Sequence, residues 1–298
     1  MADSTPTYTN RFLAEVVGTF VLVFSVGGAV LFGTIFGSGQ SGYNGAGYLG
    51  VAFALGLSVM GAMFAFGRVS GGHFNPAITL GLALGRRFMW RDVLGYVVAQ
   101  LIGGLVASSV LYLIAMFGPE GLLAYLINNR FGANGFGEAS PAPLQFGLAA
   151  AIIITTVVSA ILVWMFMGAT DKRASTAFAP IAVGFVLVVV SIVSVPVTGG
   201  AINPALSIAT AIYGGQIALS QLWVFILFPI VGGLIAGATY GPLFGGLAKT
   251  AAPVAASAAS STTSAAPKAT QSDPVKKAAP AQKPAAKKPA ARTTTTKK

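Results

Sequence analysis

Two ten-residue stretches carry the side chains best placed to act on a passing molecule. Ser70-Gly71-Gly72-His73-Phe74-Asn75-Pro76-Ala77-Ile78-Thr79 is matched in register by Thr198-Gly199-Gly200-Ala201-Ile202-Asn203-Pro204-Ala205-Leu206-Ser207. They share Gly-Gly, two further residues and Asn-Pro-Ala, with a hydroxyl residue at either end. Asparagine is among the best helix N-caps, its side-chain oxygen accepting an orphan backbone N–H. Proline suits the first helical position, where its missing donor costs nothing. Each amide oxygen is then tied to backbone while each amide NH2 can donate to an oxygen that comes past. That chemistry recognises neutral hydroxylic molecules and breaks no bond. His73 is the single histidine, Asp and Glu are few and scattered, and cysteine is absent. Paired carboxylates, a thiolate nucleophile, a metal-ligand cluster and a phosphate-binding loop are all missing. The chain is expected to be no enzyme, to need no cofactor and to bind no metal. His73 reads as a structural hydrogen-bonder near Asn75.

These residues need elements that can hold them inside a membrane. The chain has 298 residues, 55% hydrophobic and only 8% charged, which excludes a soluble domain and points to a polytopic membrane protein. Six apolar segments, about 12–36, 46–66, 92–117, 144–168, 176–195 and 218–246, each reach the roughly 20 residues needed to cross a bilayer. The helices opened by Asn75 and Asn203 can run only to about Gly85 and Tyr213, roughly 15 Å each, or half a bilayer. Matched half-length helices in two halves of a membrane chain mark a midplane site. Three spans per half is an odd number, so the second half must be inserted upside down. The expected fold is all-α, with six transmembrane helices plus two half-helices in an inverted repeat. The channel body should cover 11–247, its halves about 11–117 and 144–247.

Orientation follows from Lys and Arg. Arg11, Arg68, Arg86, Arg87, Arg91, Lys172 and Arg173 lie at one set of span ends, and only Arg130 at the other. That puts both termini in the cytoplasm of a multi-pass protein of the plasma or inner membrane. Met1 to Asn10 is polar, so no cleaved signal peptide is expected and the first span should direct insertion. The net charge of +11 is mostly a tail: residues 249–298 carry +9 and residues 1–248 only +2. Ala, Pro, Lys, Thr and Ser dominate 248–298, a composition that predicts disorder. A basic cytoplasmic tail attracts anionic headgroups at about 1 kcal/mol per cation; a merely solvated tail is the alternative. Nothing beyond charge suggests nucleic acid. Turns such as 37–42 punctuate the spans. Ala14 and Gly18, Gly95 and Ala99, and Gly233, Gly237 and Gly241 stand four apart, either for close helix contact or because glycine is common in such helices.

On these residues the chain resembles the aquaporin, or major intrinsic protein, family across 11–246. The resemblance extends to Ala14-Glu15 with Gly18-Thr19-Phe20, to Gln100, to Gly168-Ala169-Thr170-Asp171-Lys172 and to Phe178-Ala179-Pro180-Ile181. It closes on Gln221-Leu222-Trp223 and Pro229-Ile230-Val231-Gly232-Gly233. It implies a right-handed helix bundle in a homotetramer with one pore per subunit. It also implies passive conduction of water or small uncharged solutes past Asn75, Pro76, Ala77, Asn203, Pro204 and Ala205.

The departures from the family pattern bear on selectivity. Leu206 stands where an arginine usually follows the second Asn-Pro-Ala. Gly200 occupies a second constriction position, Ser191 the place of the water-selective histidine, and Leu55 that of the usual aromatic. A ring of Leu55, Ser191, Gly200 and Leu206 is expected to be wider, apolar and uncharged. Thr155 replaces a span-four glutamate that the family uses to brace its half-helix loop, whereas Glu15 keeps its place in span one. Ser207 and Ala211 match the water class rather than glycerol specialists. The expected function is a poorly selective pore for water, glycerol-like solutes and ammonia. A strict water channel, an ion-coupled transporter and a closed junctional protein remain alternatives.

Overall fold

The computed structural model describes residues 5–33, 47–141 and 145–245. The tail 248–298 and the turn 37–42 lie outside these residues. Nine α-helices occur among the described residues: α1 (Tyr8–Leu31), α2 (Gly47–Ser70), α3 (Pro76–Leu84), α4 (Trp90–Met116), α5 (Leu122–Asn128), α6 (Leu148–Ala169), α7 (Ala179–Thr198), α8 (Pro204–Ala211) and α9 (Gly215–Phe244). Six of them are long and apolar enough to span a membrane. The remaining three are the half-helices α3 and α8 and the short α5, which lies in the connection between α4 and α6 and is apolar but only seven residues long. Helix α1 begins before the apolar run because Thr7 caps it, accepting from the Asn10 N–H at 3.2 Å.

Two halves of like construction interlock. Helix α1 packs on α2 and α4, and α6 packs on α7 and α9. Each half-helix then crosses into the other half, α3 against α9 and α8 against α4. Glycine makes these crossings possible: a Cβ on Gly233 would stand 2.4 Å from the Ala77 carbonyl oxygen, and one on Gly237 would stand 2.2 Å from that of Gly81. The halves also meet through Gly56 and Gly184, each 19 residues before the asparagine of its own motif. A Cβ on either would fall within 2.8 Å of the other's carbonyl oxygen. Close backbone approach of this kind is how helices associate in lipid, where burial of apolar surface drives little. Gly241, by contrast, has nothing within 4 Å of such a Cβ among the described residues.

At the end carrying α1's N-terminus, Arg173 pairs with Asp171 at 2.8 Å and donates to the Phe244 carbonyl at 2.9 Å. The Tyr240 hydroxyl also bonds Asp171, at 3.1 Å, tying the α6–α7 connection to the last turn of α9. Arg11 pairs with Asp92 at 3.2 Å across α1 and α4.

Candidate functional site

The two half-helices meet N-terminus to N-terminus through their asparagines. The Asn75 side-chain oxygen accepts from the Ala77 N–H at 2.8 Å, and that of Asn203 from the Ala205 N–H at 3.0 Å. Pro76 and Pro204 open α3 and α8. One N–H of each amide is used across the junction: Asn75 Nδ2 donates to the Ile202 carbonyl at 3.2 Å, and Asn203 Nδ2 to the Phe74 carbonyl at 2.8 Å. Each amide therefore keeps one N–H for a solute rather than two. The approach relies on left-handed backbone, with φ of +98° and +69° at Gly71 and Gly72 and +80° and +76° at Gly199 and Gly200. Glycine adopts that conformation without strain, which accounts for the shared Gly-Gly. Two helix N-termini facing one another each contribute about half a positive charge to the junction.

Irregular backbone at membrane depth must have every polar group satisfied from within the protein. Glu15 does this for the first loop. Its carboxylate is wholly buried and accepts from Ser70 Oγ at 2.7 Å, the His73 N–H at 3.0 Å, the Phe74 N–H at 2.8 Å and Gln100 Nε2 at 2.8 Å. The Tyr96 hydroxyl adds a bond to the Ser70 carbonyl at 2.7 Å. His73 Nδ1 lies 3.1 Å from Thr79 Oγ1, so its bond is to Thr79 and not to Asn75. Thr79 Oγ1 donates its one hydrogen to the Asn75 carbonyl at 3.1 Å, which assigns the proton in the His73–Thr79 bond to Nδ1 and leaves Nε2 an acceptor.

The second loop is braced with the opposite polarity. Thr155 is fully buried and its hydroxyl has no partner among the described residues. Asn134, from the α4–α6 connection, takes over: Nδ2 donates to the Thr198 and Gly199 carbonyls, both at 3.0 Å, and Oδ1 accepts from Ser207 Oγ at 2.7 Å. Ser140 Oγ adds a bond to the Val197 carbonyl at 3.0 Å. Sequence reasoning did not single out Asn134. The Asn134-Gly135 pair marks only a turn, and its partners lie 64 and 73 positions away.

Three cavities lie in series along this junction. The first, about 470 Å³, opens beside Arg68 and Arg87 and ends at His73. The second, about 10 Å³, runs from His73 past Asn75 and Asn203 to Leu206. The third, about 20 Å³, continues from Leu206 to Phe131 and Asn134. His73 and Leu206 thus stand at the two narrowings. Leu55, Gly200 and Leu206 all line the middle cavity. Ser191 does not: it is fully buried with an unpartnered hydroxyl, and Leu187, one turn earlier on α7, faces the lumen instead. The space between Leu55, Leu187, Gly200 and Leu206 is apolar, uncharged and narrow, and a Cβ on Gly200 would meet Val195 at 3.0 Å rather than any of these leucines. About 10 Å³ of open space accommodates roughly one water.

Six spans and two opposed half-helices around a water-sized lumen define a passive membrane channel. The chain belongs to the major intrinsic protein family, whose pattern matches residues 3–240. It is 44% identical over 235 residues to Aquaporin Z of Photorhabdus laumondii subsp. laumondii, covering 79% of this chain and 97% of that protein. It is 39% identical over 232 residues to Aquaporin Z of Rhodopseudomonas palustris, covering 78% and 92%. In fold it is similar to the aquaglyceroporin from Plasmodium falciparum, with a TM-score of 0.66, 23% identity, and coverage of 82% of this chain and 99% of that one. The protein is accordingly a channel for water and small solutes and not an enzyme.

Proposed function

We propose that the pore passes water and small uncharged solutes of glycerol size, with ammonia a further candidate. The observation that supports this is Leu206, which carries no charge and lines the cavities on both sides of the narrowing. A solute with a carbon skeleton loses less on meeting leucine than on meeting a charged filter, whereas water finds fewer hydrogen-bond partners there. Rotamer changes of Leu206 and Leu187 would supply the extra width. Asn75 and Asn203 each offer a passing hydroxyl one N–H, and the facing helix ends disfavour cations. The roughly 10 Å³ of open space favours a second reading, a strict water channel.

On the same proposal residues 11–247 form the channel, assembled as a homotetramer in the plasma or inner membrane with both termini cytoplasmic. The basic segment 248–298 would then face anionic headgroups. Uptake of labelled glycerol into reconstituted vesicles tests passive permeation. Initial rates should rise linearly with glycerol concentration and ignore imposed Na⁺ or proton gradients. Saturation dependent on such a gradient would contradict passive permeation.

A further inference from the structure

Position 206 lacks the charge this family usually places at its filter, yet the connection that reaches the same mouth carries a cation with no ion pair among the described residues. Arg130 is the one Lys or Arg in the connections at that end of the bundle. One of its terminal nitrogens, Nη1, is sealed from solvent and has no hydrogen-bond partner among the described residues. No ion pair involves it among the described residues, and Glu120 and Glu138 of the same connection are exposed to solvent. Arg130 is not itself among the residues lining the third cavity, but it directly precedes two that are. Phe131 and Gly132 line the third cavity together with Leu206.

The backbone holds this arrangement. Arg130 and Phe131 are consecutive left-handed residues, with φ of +62° and +48°, a conformation side-chain-bearing residues rarely adopt. The Ala133 N–H closes the turn on the Arg130 carbonyl at 2.8 Å. The Phe131 ring is wedged against Tyr213 and Tyr112, with centroids 5.3 Å and 6.2 Å away. A Cβ on Gly214 would stand 2.7 Å from the Arg130 carbonyl oxygen, so the turn that follows α8 lies directly against this segment. Burial lowers the Arg130 pKa, but a guanidinium remains charged at physiological pH.

We propose that Arg130 adds a cation barrier to that of the facing helix ends, contributing at the Leu206 mouth the positive potential that an arginine at position 206 would otherwise supply. This rests on Leu206 being the filter residue. A cation or proton entering from that side meets an uncompensated positive charge before it reaches the apolar ring. Neutral solutes feel little of it, which lets the ring be permissive to glycerol without admitting ions. In salt of about 0.1 M a charge acts over a range of about 10 Å. At an effective dielectric constant of about 20, one unit charge at that range alters a monovalent cation's passage by a factor on the order of ten.

The test uses full-length protein in vesicles loaded with a pH-sensitive dye, with a potassium diffusion potential driving protons inward. Proton flux is divided by the water permeability of the same vesicles. Arg130→Leu and Arg130→Gln should each raise that ratio on the order of tenfold, while Arg130→Lys, which keeps the charge, should stay close to the unmodified protein. A ratio unchanged in both neutral variants would overturn the role of Arg130. Glycerol flux through Leu206→Arg, measured in parallel, separates the two ideas. If that flux falls while the Arg130 variants leave proton leak unchanged, Arg130 is wrong and the filter assignment stands. If glycerol flux does not respond to Leu206→Arg, the filter assignment itself is wrong.

Discussion

Leu206→Arg is expected to cut glycerol permeability on the order of tenfold or more while leaving water permeability within a few-fold of the unmodified channel. Leu206 lines the cavities on either side of the narrowing, so no solute bypasses it. Arginine is longer than leucine and brings a strongly hydrated cation into a lumen with about 10 Å³ of open space. A water can replace lost contacts by accepting from the guanidinium, which has five N–H donors. Glycerol must also strip a carbon skeleton past a charged group in a tighter ring. A tenfold loss corresponds to about 1.4 kcal/mol of added barrier, within the 1–3 kcal/mol that one methylene can decide in a fitted pocket. Light scattering on vesicles in glycerol and in sucrose gives both permeabilities. Unchanged glycerol flux would remove Leu206 from the filter.

Glu15→Leu is expected to prevent accumulation of the folded channel or to lower its melting temperature sharply. The carboxylate satisfies Ser70 Oγ, the His73 and Phe74 N–H groups and Gln100 Nε2, all buried. Leucine accepts none of these, and each buried donor left unmatched costs about 1–3 kcal/mol. The total, at least about 4 kcal/mol, is a large part of the stability of an ordinary domain. Glu15→Gln should do less damage, because it keeps the shape and one acceptor oxygen. Melting followed by size-exclusion chromatography in detergent distinguishes these variants. Equal melting of Glu15→Leu and the unmodified protein would show that the first loop does not depend on Glu15.

The two losses differ in kind because the site is built in two layers. On the proposed function Leu206 meets solutes, whereas Glu15 and Asn134 bond the loops that bring Asn75 and Asn203 together. Much of the first layer was legible in the sequence, since capping chemistry at Asn-Pro-Ala is local and the repeat of the motif is explicit. The six spans were legible for the same reason, each being a run long enough to cross a bilayer. Glu15 was flagged by its likeness to the family, but its four donors are set by contacts 55 to 85 positions apart. Asn134 left no usable signal, because a turn asparagine looks the same whether it faces solvent or locks a buried loop. Ser191 and Leu187 differ by one turn of α7, and which of them faces the lumen depends on helix rotation, which an ungapped count cannot supply. The lumen is narrower than the expected ring because Leu187 joins Leu55 and Leu206 around it, and a count of positions along α7 does not place Leu187 there. Gly56 and Gly184 were hidden too, as their importance lies in a contact between halves and not in either helix alone.

The most direct measurement is stopped-flow light scattering on vesicles holding the unmodified protein, comparing shrinkage in sucrose with reswelling in glycerol. The account predicts fast shrinkage in both solutions, followed in glycerol by reswelling well above that of protein-free vesicles. Fast shrinkage with glycerol reswelling no faster than in protein-free vesicles would contradict it, and would identify the leucine ring as a barrier that only water crosses.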